Sequence, residues 1–141
     1  MNVVIDASTI IGAALKVDSI PRQALLVTVL SHELVLSLPV FEEISEVLSR
    51  KKFARSIPEE VRTEILGMLL MSGLVVIPEE TVCECRDPGD DIYLEAALAA
   101  GADVIVSSDA DLLVMDPWRG IRILRPREFL ELVGAGAGET T

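Results

Sequence analysis

The sequence predicts an α/β domain built on a central parallel sheet of about five strands, with helices packed on both faces to give three layers. Three observations predict it. Short apolar runs rich in Val, Ile and Leu stand at residues 2–5, 33–38, 74–77, 103–107 and 121–124, the composition of strands buried on both faces. Segments of a dozen or more residues separate them, the length a right-handed crossover between parallel strands requires. Acidic residues follow two of the runs closely, Asp6 after the first and Asp109 after the fourth, on the edge where open parallel sheets bind ligands.

In chain order, Asn2 to Ile5 forms the first strand and ends directly in Asp6, which with Ser8 is a candidate cap for the next helix. A second helix covers residues 20–30, with Pro21 tolerated in its first turn. After the second strand, Pro39 opens a helix to about Arg50, on which Val40, Ile44, Val47 and Leu48 share one face. Glu43 lies at the margin of that face, while Glu42 and Glu46 point away from it. A basic segment, Arg50-Lys51-Lys52-Phe53-Ala54-Arg55, precedes a helix over 58–71 that Gly73 ends, and Pro78 closes the third strand. Asp87-Pro88-Gly89 is a turn, Asp90 a side-chain cap, and residues 91–100 a helix stopped by Gly101. The fourth strand leads to Asp109 and Asp111, the latter a candidate cap for a short helix at 112–115. A fifth strand is followed by a helix from Pro126 to about Val133. One domain over residues 1–133, with a flexible Gly-rich tail at 134–141, accounts for the 141 residues.

The formal charge of −11 excludes a protein whose whole surface grips nucleic acid, although a local basic rim is compatible with it. No run of about 18 uncharged apolar residues marks a membrane span, and the N-terminus lacks a basic segment followed by an apolar one, so the expected location is cytoplasmic. Cys83 and Cys85 are too few and too close for a disulfide framework or a four-ligand zinc site.

Four groups gather on the carboxyl edge of the sheet: Asp6, Glu43, Asp91 or its neighbour Asp90, and Asp109 with Asp111 close by. Packed carboxylates repel one another, so they take up protons or bind a cation. Hard oxygen ligands favour Mg2+ or Mn2+, and such ions promote hydrolysis of phosphate esters. Two basic segments, Arg50, Lys51, Lys52 and Arg55, then Arg119, Arg122, Arg125 and Arg127, are candidates for contacting phosphate groups at the rim of the acidic site.

Residues 3–11, 41–50, 87–94 and 104–113 together, in this order and spacing, resemble the PIN-domain ribonucleases, including the VapC-like toxins of prokaryotic toxin–antitoxin pairs. The resemblance implies a PIN-like α/β/α fold and a metal-dependent endoribonuclease, the toxin of a type II pair. Carried over by position, its metal-binding acids fall on Asp6, Glu43, Asp91 (opening an Asp-x-x-Leu helix) and Asp109. Ser8, Asp87, Asp90, Ser107 and Asp111 stand beside them as candidates for orienting the ligands. Magnesium or manganese, an RNA substrate, an antitoxin partner and a homodimer are implied in the same way. Two other functions fit parts of the sequence. Asp109-Ala110-Asp111 matches the Asp-x-Asp of acyl-phosphate phosphohydrolases, although little chain follows it for their downstream motifs, and a non-catalytic PIN-like scaffold would bind RNA or a partner without cutting.

Overall fold

The computed structural model describes the backbone over residues 1–139 and side chains through Gly134. Its strands are β1 (Asn2–Ile5), β2 (Glu33–Leu36), β3 (Gly73–Val75), β4 (Val104–Val106) and β5 (Arg122–Leu124). The helices are α1 (Ala7–Leu15), α2 (Ile20–Ser31), α3 (Leu38–Leu48), α4 (Glu59–Ser72), α5 (Asp91–Ala100), α6 (Ala110–Leu113) and α7 (Pro126–Glu139), with 3₁₀ turns at Lys51–Phe53 and Pro88–Asp90. α7 runs past its expected end near Val133, so residues 134–139 of the expected flexible Gly-rich tail continue the helix, and residues 140–141 lie outside the described residues.

All five strands are parallel in the order β3-β2-β1-β4-β5. The chain therefore starts at the centre of the sheet, winds to one edge, and returns to β1's other side with β4. β1 and β4 flank the point where the winding reverses, the place at which such sheets open a crevice beyond their carboxyl ends. The register Val4↔Ile105 and Ile5↔Val106, extended by the Asp6 N–H donating to Val106 O at 3.1 Å, brings Asp6 and Ser107 level across that crevice.

The core forms because the strand side chains are apolar on both faces. Val3, Val4, Ile105 and Val106 are fully buried, as are Ile10, Leu94, Leu112 and Phe129 from the helices. The shared face of α3 is the expected one, with Val40, Ile44, Val47 and Leu48 buried. Leu38 starts α3 instead of ending β2, because Ser37 caps the helix by accepting from the Val40 N–H at 3.3 Å. Gly101 closes α5 at φ 57 in the left-handed region, as a helix-stopping glycine should. Gly73 ends α4 for another reason: a Cβ there would sit 2.6 Å from Leu69 O and 3.1 Å from Leu36, so the helix and β2 approach too closely for a side chain. No helix among the described residues is long and apolar enough to cross a membrane. Cys83 and Cys85 are both free thiols.

Candidate functional site: an acidic crevice at the carboxyl edge

Asp6 sits where β1 ends and α1 begins. Its backbone is extended and its side chain accepts from the Thr9 N–H at 3.1 Å, so the helix cap and the candidate ligand are one residue. Three hydroxyls also donate to this carboxylate: Ser8 at 2.8 and 2.9 Å, Thr9 at 3.0 Å and Ser107 at 2.6 Å. At 2% exposure, burial pushes the Asp6 carboxyl above its usual range, and the bonds from Ser107, Ser8 and Thr9 oppose that rise. Ser107 in turn accepts from the Asp109 N–H at 2.9 Å, and Ser8 from the Ser108 N–H at 3.1 Å. The ends of β1 and β4 are thus tied through one carboxylate. Thr9 is absent from the sequence-derived set, yet Asp-x-x-Thr at a helix start is a capping pattern that points to it.

The structure separates Asp90 from Asp91. Asp91, expected among the metal ligands, is 7% exposed, and its Oδ1 accepts from the backbone N–H groups of Glu84 and Cys85 at 3.2 and 2.9 Å. It anchors the segment before the turn and lies outside the acid cluster. Asp90 replaces it there. Asp90 makes no capping bond of the kind expected, because the 3₁₀ turn Pro88–Asp90 runs straight into α5, and Asp87 caps that turn by accepting from the Gly89 N–H at 3.0 Å. Likewise α6 is capped by Asp109, which accepts from the Asp111 N–H at 2.9 Å, and not by Asp111.

Asp87, Asp90, Asp109 and Asp111 form the cluster, each offering an oxygen within 4.8 Å of the others. Asp90 Oδ2 is buried and no donor reaches it. Burial, the carboxyl of Asp109 and the charges of Asp109, Asp87 and Asp6 push the Asp90 carboxyl up to about 8, so near neutral pH this oxygen needs a proton or a cation. Arg86 is the other unforeseen member, its guanidinium on Asp111 at 2.9 Å.

Glu43 is the half-buried acid of α3 while Glu42 and Glu46 are exposed, but it stands outside the four-acid cluster. Tyr93 of α5 is 1% exposed. Its phenol is pushed above its ordinary value by burial and then by the charges of Asp6, Glu43 and Asp90. That hydroxyl accepts from the Ala7 N–H at 3.1 Å.

The basic residues divide. Arg50 is held by Glu46 at 2.8 Å, Arg122 by Asp116 at 2.9 Å, and Arg119 by Glu80 and Glu84 at 2.6 Å each. Arg119 also stacks over Trp118 at 4.6 Å and lines a cleft of about 390 Å³ with Glu79, Glu80 and Glu95, none of them a cluster acid. Lys51, Lys52 and Arg55 have no carboxylate within 4.0 Å among the described residues.

Fold and site together define a parallel α/β domain with a carboxylate cluster at its winding reversal. The chain belongs to the PIN domain family, whose family model matches residues 2–111. Among solved structures, it is similar to a chain of VapBC2 from Rickettsia felis bound to a DNA fragment from their promoter, with 14% identity and a TM-score of 0.57 over 87% of this chain and 97% of that one. At that identity the likeness establishes the fold. No curated protein matches the sequence.

Proposed function

We propose that this protein is a metal-dependent endoribonuclease, the toxin of a type II toxin–antitoxin pair, acting in the cytoplasm. The observation that carries the reading is the cluster around Asp90 and Asp109 at the winding reversal of a PIN domain, with a buried carboxylate oxygen on Asp90 that no donor satisfies. An all-oxygen, anionic donor set suits Mg2+ or Mn2+. Asp90 and Asp109 would hold the ion, with Asp87 beside them, while Asp6 and Glu43 lie outside the four-acid cluster. When bound, the ion supplies positive charge to the phosphoryl oxygens and lowers the pKa of water.

The chain's own groups do the rest. Ser107 and Thr9 fix the Asp6 carboxylate, Ser107 orients Asp109 through its N–H, and Asp91 holds the 84–85 backbone so that Asp87 and Asp90 face Asp109. Lys51, Lys52, Arg55, Arg125 and Arg127 are the cations of the two basic segments that no carboxylate holds among the described residues, and they are free to meet backbone phosphates. The fold-level likeness to a VapBC2 chain supports an antitoxin as partner, and the homodimer is carried from the same family resemblance. The phosphohydrolase reading is weaker: the second acid of its Asp-x-Asp, Asp111, is paired with Arg86.

The test is cleavage of a mixed-sequence RNA panel with Mn2+, Mg2+ or a chelator, alongside Asp90→Asn and Asp6→Asn. Cutting that requires the ion and is lost in Asp90→Asn is the expected result. A folded protein that binds Mn2+ and RNA but cuts nothing in the panel would favour the scaffold reading.

A further inference from the structure

Arg86 immediately precedes the acidic turn, and its side chain folds onto the cluster. Nε donates to Oδ1 of Asp111 at 3.0 Å, and Nη2 lies 2.9 Å from the same oxygen as an ion pair. Among the described residues it is the one cation paired with a cluster acid, since every other arginine ion pair is made with an acid elsewhere. The four carboxylates are therefore not equivalent. Asp90 Oδ2 is unsatisfied, whereas Asp111 already carries an ion pair and one charge-assisted hydrogen bond from Arg86.

Charge decides what this arrangement accepts. With Arg86 in place, the four carboxylates, all ionised once a cation takes the place of the Asp90 proton, present three net negative charges. One divalent cation leaves a single negative charge, and a second would drive the cluster positive while competing with the guanidinium for Asp111. Without Arg86, two divalent cations balance the four acids. Resting on the metal reading above, we propose that Arg86 is a built-in counter-ion that withholds Asp111 and sets the occupancy of the cluster at one divalent cation. Asp90 and Asp109 then hold that ion, and the Arg86–Asp111 pair forms one wall of its place.

The test is Mn2+ binding to the full chain by titration calorimetry, for the wild type, Arg86→Gln, Arg86→Lys and the double variant Arg86→Gln with Asp111→Asn, each checked for folding by circular dichroism. The wild type should bind one ion. Arg86→Gln should bind a second at least about tenfold more tightly than the wild type does, the least that removing a unit charge beside a divalent ion gives even in a water-like dielectric. Arg86→Lys should keep one ion, and the double variant should return to one. A folded Arg86→Gln protein that still binds a single ion would overturn the counter-ion role and leave the metal site standing, as would two ions in the wild type. No Mn2+ bound by any variant would overturn the metal reading itself, and this inference with it.

Discussion

Replacing Asp90 with Asn should stabilise the ion-free protein at pH 8 and abolish its response to Mn2+. The Asp90 carboxyl rises from its ordinary 3.8 to about 8 on folding, first through burial and then through Asp109 and the nearby acids. A raised acid holds its proton in the folded state after the unfolded chain has released it, so stability falls as pH climbs from about 4 to about 8. At 1.36 kcal/mol per pH unit the upper bound of this cost is about 6 kcal/mol, and solvent screening of a carboxyl that is only partly buried reduces it to about 1–2 kcal/mol. For a domain of this size that is a melting shift of about 3–8 °C. In chelator, wild type and Asp90→Asn should therefore melt together near pH 4.5 and separate progressively up to pH 8, with the variant higher. The comparison isolates Asp90 from Asp6, whose raised carboxyl contributes a slope of the same sign to both proteins. Manganese at about a hundred times its dissociation constant should return about 2.7 kcal/mol to the wild type, and nothing comparable to the variant. Parallel pH profiles in chelator, or a variant less stable at pH 8, would refute the account of an uncompensated carboxylate.

Other perturbations separate scaffold from site. Ser107→Ala removes the 2.6 Å bond to Asp6 and the acceptor of the Asp109 N–H, and should cost about 1–3 kcal/mol in urea denaturation; an unchanged midpoint would show that Ser8 and Thr9 suffice. Asp91→Ala strips one buried and one part-buried backbone donor of their acceptor and should cost about 1–3 kcal/mol, with faster proteolysis in the 76–87 segment, whereas Asp91→Asn retains an acceptor and should bind Mn2+ within about threefold of the wild type. If Asp91→Asn loses Mn2+ as completely as Asp90→Asn, Asp91 is a ligand after all. Gly101→Ala places a Cβ at φ 57 and should cost about 1 kcal/mol by chemical denaturation.

Much of the fold is legible because its signals are local. The strands are short, continuous apolar runs, the helix faces repeat at the 3.6-residue period, and Gly101 and Pro39 mark a stop and a start through backbone chemistry that neighbours cannot alter. Element ends are less legible. Ser37 draws Leu38 into α3, and the 3₁₀ turn at Pro88 takes Asp90 away from its expected capping role, since each depends on which of several local hydrogen bonds the packed chain favours.

The sequence by itself determined an acidic edge: β1 and β4 must end at Asp6 and Ser107, and a parallel sheet puts both ends on one side. Only the tertiary structure decided which carboxylates meet. Adjacent helical residues point about 100° apart, so Asp90 and Asp91 face different neighbours: Asp90 meets the other acids of the cluster, and Asp91 is buried against the backbone of residues 84–85. The Ser107–Asp6 bond spans 101 residues and the Arg86–Asp111 pair 25. No pattern of spacing encodes such contacts, because they exist only once the sheet has brought the ends of distant elements together.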